Sequence, residues 1–308
     1  MDVLVVGAGG VGGYLGGLLA RAGHRLSVVA RGASLEALSR QGLRVESVAD
    51  GTFTVPVEAV PTAPQGRTTD LVLFTVKEYD TQGAIEQTLA GVGPHTQVLT
   101  LQNGVVSADH LAAAFGRERV LEGLIYIESY VKAPGVIAQE GGPRRVVFGK
   151  RSGNGAREQA LLGTLREAGW QAELADDIIT ALWAKLCFIG PFAALNTLTG
   201  LRGPLLAGES VSGGVARALI GEYVAVATAE GARLPADMVD ATLERMRTFM
   251  GLASMLRDRV AGRRLESDAL VDDVVRRAAS HSIPVPVATM LAALLAPVRE
   301  GGSPALGA

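Results

Sequence analysis

The strongest constraint on the fold is a glycine-rich turn near the start of the chain. The apolar and β-branched run Val3 to Val6 is typical of a strand that is buried on both faces. The next six residues match the spacing G-x-G-x-x-G: Gly7, Ala8, Gly9, Gly10, Val11 and Gly12. Tyr14 to Ala22 then predicts a helix, and Leu26 to Ala30 predicts a second strand. Strand, turn, helix and strand in this order form a βαβ unit.

Each glycine of the turn has a physical use in such a unit. Gly7 can make the tight turn, Gly9 lets a ligand approach the backbone, and Gly12 lets the helix pack closely on the strand. The free N–H groups and the positive dipole end of the helix would receive phosphate groups. In a chain with 39 glycines the motif alone is weak, and a turn without a ligand is the alternative. Its place between a strand and a helix favours a dinucleotide site.

The end of the second predicted strand favours NADP(H) over NAD. Units that bind NAD usually carry an acidic residue there, which binds the ribose 2′-hydroxyl. This chain has Arg31 instead, whose planar and permanently charged fork suits a 2′-phosphate. Lys77, which follows a later predicted strand at Leu71 to Val76, could add a second positive charge. A solvated loop arginine and an unrelated surface lysine are the alternatives.

The rest of the pattern divides the chain into an α/β domain and an all-α domain. Val98 to Leu101 predicts a further buried strand, and residues 120–149 predict an antiparallel extension of the sheet. Later helices are predicted at Asp177 to Leu198, Val215 to Glu230, Ala236 to Ala261, Ser267 to Ser280 and Pro286 to Arg299. We therefore expect a Rossmann-type domain over residues 1–175 and a helical domain over residues 176–308, with a frayed end at 301–308.

Composition argues against several classes of protein. The formal charge of −2 and the scattered arginine pairs give no reason to expect a nucleic acid partner. The longest apolar run, Leu186 to Leu195, is about half the length that crosses a membrane, and no signal peptide precedes the first strand. The single cysteine, Cys187, fits a reducing compartment, and the histidines lack metal-ligand spacing. We expect a cytoplasmic protein with a small-molecule partner, no membrane contact and no metal.

One lysine stands within an apolar helical segment of the second domain. Lys185 has almost only apolar neighbours from Ala181 to Ile189. Burial of a lone ammonium group is costly, so the side chain must reach solvent, meet a carboxylate or face a polar cleft. Composition alone favours the first outcome. A proton donor for the reduction of a carbonyl group is the functional alternative.

Taken together, several segments resemble the ketopantoate reductases, also called 2-dehydropantoate 2-reductases. The segments are Gly7 to Gly12, Arg31, Thr75 to Lys77, Leu101 to Gly104, Leu182 to Leu186, Ser254 to Asp258, Arg264 to Glu266 and Ile283 to Pro286. The resemblance covers nearly the whole chain. It implies that NADPH reduces a 2-keto acid to a 2-hydroxy acid, with ketopantoate reduced to pantoate for pantothenate and coenzyme A biosynthesis.

The resemblance also implies roles for single residues. Lys185 matches the catalytic lysine of the family, and Glu266 matches its catalytic glutamate. Asn103 matches an asparagine beside the nicotinamide and the substrate, and Ser254 matches a serine that contacts substrate. Lys185 would polarise the carbonyl oxygen and either protonate it or only support it electrostatically, while Glu266 would offset the buried charge. Without the resemblance, Glu266 would be interpreted as a solvated carboxylate and Ser254 as bonded to its own helix backbone.

Three positions depart from the family pattern. Ile189, one helical turn after Lys185, stands where members often carry asparagine, and so do Ala207 and Gly251. The expected pocket is therefore more apolar, and the substrate could be another 2-keto acid or a bulkier carbonyl compound. A second hypothesis is a catalytically decayed protein that senses NADP. The sequence does not fix the oligomeric state, and a homodimer is compatible with it.

Overall fold

The computed structural model describes residues 1–208 and 211–302. The chain forms two compact units. The first contains Met1–Gln102 and Ser107–Ile178, and the second contains Asn103–Val106 and the chain from Ile179 onward. The first unit is α/β and the second is helical, which confirms the predicted fold class. The frayed end predicted at 301–308 lies, from residue 303 on, outside the described residues.

A single sheet organises the first unit. Its strands are β1 (Asp2–Val6), β2 (Arg25–Val29), β3 (Leu43–Ser47), β4 (Gly51–Val55), β5 (Glu58–Val60), β6 (Leu71–Phe74), β7 (Gln97–Thr100), β8 (Val120–Ala133), β9 (Val136–Gly149) and β10 (Gln171–Leu174). Their spatial order is β4-β3-β9-β8-β7-β6-β1-β2-β5, and β10 pairs with β9. The strands from β8 to β5 in this order are mutually parallel, so their carboxyl ends share one edge. The β8–β9 pair is antiparallel, as predicted.

The first strand shows why an apolar run without alternation belongs at the centre of this sheet. Side chains alternate between the two faces of a strand. Val3 and Val5 pack into one hydrophobic core, and Leu4 and Val6 pack into the other. The sheet therefore has a covered face on each side, as a parallel sheet requires. The helices of this unit are α1 (Gly10–Arg21), α2 (Gly32–Gln41), α3 (Thr81–Thr88), α4 (Ser107–Phe115) and α5 (Ala156–Glu167).

Helices alone build the described part of the second unit. They are α6 (Ile178–Thr199), α7 (Gly203–Leu206), α8 (Val211–Ala229), α9 (Met238–Thr248), α10 (Ser254–Val260), α11 (Asp273–Ser280) and α12 (Pro286–Leu295), with a π-helical turn at Asp268–Asp272. The single helix predicted over Ala236 to Ala261 is wrong. The chain becomes extended at Phe249 and is helical again from Ser254. Gly251, a poor helix former, lies within this break.

Helix α6 is the most apolar long helix of the unit. By length and composition it could cross a membrane, yet 72% of its most apolar stretch is buried within the protein. Such burial is typical of a core helix. Cys187 lies in this helix and is fully buried, and burial raises the pKa of its thiol to about 12. The thiol is therefore protonated and unreactive at neutral pH.

Candidate active site

The glycine-rich turn has the geometry of a phosphate cradle. Gly7 has a φ of +99°, which favours glycine, and a Cβ atom there would lie 2.8 Å from the Val76 backbone nitrogen. A Cβ atom on Gly12 would collide with Thr75 Oγ1. At Gly9, the N-cap of α1, a Cβ atom would meet nothing within 4 Å. The turn is thus packed against the sheet on one side and open beside Gly9, which fits a pyrophosphate at the helix N-terminus.

Two positively charged residues follow the strands on either side of β1. Arg31 is the N-cap of α2 just after β2, and Lys77 lies just after β6. Because β2 and β6 both pair with β1 in parallel, both residues lie at the same sheet edge as the glycine turn. Arg31 Nη2 is 3.5 Å from Asp80 Oδ1, and the arginine side chain is 72% exposed. The guanidinium group is thus accessible to a 2′-phosphate, and Asp80 competes for it.

The second unit brings Lys185 close to two other residues of the predicted site. Lys185 is only 8% exposed, and its ammonium Nζ donates a hydrogen bond of 3.0 Å to Asn103 Oδ1. Burial lowers the pKa of Lys185 to about 8, the negative charge of Glu266 opposes this shift, and the positive charge of Arg245 adds to it. Glu266 is itself only 3% exposed. The Lys185 ammonium group is therefore not solvated at the surface: it is hydrogen-bonded to an amide oxygen and lies within the electrostatic influence of a carboxylate.

An aromatic cluster adjoins this lysine. Three apolar residues share one face of α6 with Lys185: Phe188, Ile189 and Phe192. The rings of Phe188 and Phe192 are stacked with centroids 5.8 Å apart. Phe249, from the break between α9 and α10, meets both rings edge-on at 5.4 Å and 5.0 Å. The Arg245 guanidinium lies over the Phe188 ring at 4.2 Å. Besides the Asn103 amide and the Glu266 carboxylate, the groups around Lys185 thus include apolar side chains and one further cation.

The remaining predicted positions are Ser254 and two of the departures from the family pattern, Ala207 and Gly251. Ser254 is the first residue of α10 and is exposed, unlike Lys185 and Glu266. Ala207 is fully buried, and its carbonyl oxygen accepts a 2.8 Å hydrogen bond from Arg247 Nε. A Cβ atom on Gly251 would lie 2.6 Å from the ring of Phe249. Larger side chains at these two departures would therefore require rearrangement of the neighbouring residues.

Some features of the site escaped the sequence analysis. Asp80 carried a signal, because it lies only three residues after Lys77 in the chain. Phe188 also carried one, since it lies one turn from Lys185 on the same helix. Arg245 had none, because only the tertiary fold brings α9 to α6. Among the residues described, 1–208 and 211–302, no cluster of histidine, cysteine or acidic residues could hold a metal ion.

A mostly parallel sheet with a glycine-rich turn at the N-terminus of its first helix is typical of dinucleotide-binding proteins, and the buried lysine of the helical unit is a group that could donate a proton. The comparison with protein families is more specific. Residues 3–153 match the family model "Ketopantoate reductase PanE/ApbA", and residues 177–299 match "Ketopantoate reductase PanE/ApbA C terminal". The chain belongs to the ketopantoate reductase family, an oxidoreductase family. The resemblance noted from the sequence is confirmed.

Individual relatives match along nearly their whole length. A 2-dehydropantoate 2-reductase of Mesorhizobium japonicum is 31% identical over 96% of this chain and 97% of its own. A crystal structure of a PanE/ApbA family ketopantoate reductase from Ralstonia eutropha JMP134 has 34% identity and a TM-score of 0.87, covering 97% and 98%. A ternary structure of D-mandelate dehydrogenase with NADH and anilino(oxo)acetate has a TM-score of 0.87 over 96% and 97%, and its 20% identity shows only a shared fold.

Proposed function

We propose that this protein is a cytoplasmic, NADP-dependent reductase that converts a 2-keto acid to a 2-hydroxy acid. The first substrate to test is 2-dehydropantoate, whose reduction gives pantoate for pantothenate and coenzyme A biosynthesis. The observation that carries the proposal is the buried Lys185 ammonium, held by Asn103 and influenced by the charge of Glu266. The names of the full-length relatives support the same reaction.

The first unit supplies the groups that would hold the cofactor. The turn from Gly7 to Gly12 would bind the pyrophosphate through backbone N–H groups. Arg31 and Lys77 would bind the 2′-phosphate, with Asp80 displaced from the guanidinium fork. Asn103 would lie beside the nicotinamide, as it does in the family. When bound, NADPH supplies the hydride.

The second unit supplies the groups that would act on the substrate. With a pKa of about 8, Lys185 carries its proton in most molecules at pH 7. Its ammonium group would donate a hydrogen bond to the keto oxygen, polarise the carbonyl and transfer the proton as the alkoxide forms. Asn103 Oδ1 accepts from the same Nζ and fixes the direction of the head group. Glu266 keeps the ammonium form populated against the cost of burial, and Ser254 would contact the substrate.

The aromatic cluster favours a second candidate substrate for the same chemistry. Ile189 presents an alkyl group one turn from Lys185, where family members often carry an amide. Phe188 and Phe192 lie on the same face of the helix, and their rings and that of Phe249 have centroids between 5.0 Å and 5.8 Å apart. A 2-keto acid with a large apolar side chain would lose less hydration on entering such surroundings than a polar one.

The proposed function is tested by NADPH oxidation with a panel of 2-keto acids. The panel contains ketopantoate and a series with increasingly large apolar side chains, and the loss of NADPH absorbance is followed. Lys185→Ala should slow the reaction by at least about 10²-fold, whereas Lys132→Ala, a matched change of an exposed lysine, should leave its rate unchanged. Tight NADPH binding without turnover of any acid would support the NADP-sensing hypothesis instead.

A further inference from the structure

The segment that carries Glu266 continues into an unusual backbone element. Residues Asp268–Asp272 form a π-helical turn that leads into α11. Turns of this kind are rare overall, and those that occur often lie at functional sites. Glu266 lies two residues before this turn and is almost completely buried. The contacts that hold the turn therefore also determine where the Glu266 carboxylate lies.

The turn packs closely against two segments of the proposed site: the loop that carries Asn103 and the helix that carries Lys185. A Cβ atom on Gly104, the neighbour of the site asparagine, would lie 2.8 Å from the Ala269 carbonyl oxygen. A Cβ atom on Gly190, in the lysine helix α6, would lie 3.0 Å from the Leu270 carbonyl oxygen. The buried Tyr223 hydroxyl donates a 2.6 Å hydrogen bond to that same oxygen. The absence of side chains at these two glycines lets the loop and the helix approach the turn closely.

One arginine near the end of the described chain binds this segment at four points. Arg299 Nη1 is 2.9 Å from Asp268 Oδ1, and Nη2 is 2.7 Å from Asp272 Oδ2. Its Nε donates a 3.0 Å hydrogen bond to Ser267 Oγ, and its carbonyl oxygen accepts a 2.8 Å hydrogen bond from the Leu265 N–H. Leu265 and Ser267 are the residues immediately before and after Glu266. Arg299 thus anchors both sides of the glutamate.

The charges of this cluster make the arginine necessary. Burial raises the pKa of Asp272, the positive charge of Arg299 opposes this rise, and the negative charge of Asp268 adds to it. Without Arg299 the repulsion between the two aspartates would be opposed only by Arg264, which lies 3.2 Å from Asp268, and by the charge of Arg276. The Arg299 side chain is 24% exposed, so solvent screens these pairs less than it screens typical surface pairs. A lysine could supply the charge but not three donors in a fixed fork.

We propose that Arg299 is a positioning residue, which holds Glu266 near Lys185 through the turn at Asp268–Asp272. The proposal rests on the function proposed above. Two charged groups act on the Lys185 ammonium: Glu266, which precedes the turn, and Arg245 from α9. Loss of Arg299 should move the first of these away and leave the second in place. The protonation of Lys185 therefore reports the position of Glu266.

The test measures the protonation of Lys185 directly, without turnover. The chain has four lysines, at positions 77, 132, 150 and 185, so NMR of protein labelled with ¹³C at lysine Cε gives few signals. Lys185→Ala assigns the signal of interest. Arg299→Ala should lower the Lys185 pKa by about one unit, and should therefore lower kcat about twofold at pH 7 and about tenfold at pH 9. Arg299→Lys should give an intermediate pKa, and Arg217→Ala, which breaks an exposed ion pair with Asp240, should leave the pKa unchanged.

Each other outcome counts against the proposal. An unchanged Lys185 pKa in folded Arg299→Ala would show that the arginine does not position Glu266. A raised pKa would mean that water had reached the lysine, which is a structural effect, and would overturn the proposal equally. If Arg299→Ala does not fold, Arg299→Lys tests the proposal by itself. A wild-type pKa of Lys185 in that variant would contradict the proposal. Since the NMR readout needs no substrate, failure of this inference is distinct from absence of turnover on the acid panel.

Discussion

The depressed pKa of Lys185 predicts an unusual dependence of the reaction on pH. Burial, only partly offset by Glu266, moves this pKa from 10.5 to about 8. A shift of this size corresponds to about 3 kcal/mol against the charged form. If the ammonium group donates the proton, about nine-tenths of the molecules are competent at pH 7 and about one-tenth at pH 9. The rate should therefore fall about tenfold between these two values.

An ordinary lysine would behave differently. With a pKa of 10.5, less than about a tenth of the protonated form would be lost by pH 9. The assay is kcat/KM for the keto acid at saturating NADPH, between about pH 6 and pH 10 at constant ionic strength. A rate that stays level to pH 9 would refute the assignment of Lys185 as the proton donor.

Two substitutions test whether Lys185 causes this fall in rate at high pH, which is called the pH limb below. Glu266→Gln removes the charge that raises the Lys185 pKa, so the limb should move below about pH 8. Arg245→Ala removes the charge that lowers it, so the limb should move above pH 8. Arg247→Ala, two residues further along α9, serves as the control and should leave the limb in place. Movement of the limb in the wrong direction in either variant would contradict the charges assigned to the site.

Three further predictions address the groups around the reaction. Lys185→Ala should reduce kcat by about 10²- to 10⁴-fold with NADPH affinity nearly unchanged, and an equal loss of both would remove it from the catalytic step. Arg31→Ala should weaken NADPH binding about 10- to 100-fold and NADH binding little in a titration, because a charge-assisted contact is lost; an unaltered preference would exclude it from the site. Gly9→Ala should keep the wild-type Tm, since its Cβ atom points into open space, but should bind NADPH poorly, because the pyrophosphate would occupy that space. Gly12→Ala should instead lower Tm, because its Cβ atom meets Thr75. The opposite ranking of Tm would show that the cradle is packed differently.

Central strands were predictable because burial leaves a direct mark on their composition. The continuous apolar runs of β1, β6 and β7 correspond to strands that are buried along nearly their whole length. The sequence pattern predicts no elements between residues 32 and 60, where α2, β3, β4 and β5 lie. Many side chains of the last three of these are exposed or half-buried, so their pattern does not differ from that of polar loops. Helix α10 was merged with α9, because the break at residues 249–253 keeps an apolar composition.

The site was only partly accessible from the sequence. A lysine among apolar neighbours is costly, which made Lys185 conspicuous by itself. Glu266 lies 81 residues further along the chain, and Gly262 interrupts the helical pattern before it. Only the resemblance to a family could pair the two. Arg299 was beyond either approach, since its role depends on a π-helical turn whose extra residue per turn leaves no mark in hydrophobic periodicity.

The proposed function requires that NADPH reduces a 2-keto acid at Lys185. The most direct measurement incubates the purified protein with NADPH and ketopantoate and quantifies NADP⁺ and pantoate together. We predict one pantoate for each NADPH consumed, and pantoate formation at least about 10²-fold slower with Lys185→Ala. Pantoate formation at the wild-type rate in Lys185→Ala would contradict the proposed site, and NADPH binding without a hydroxy acid product from any 2-keto acid tested would contradict the proposed function.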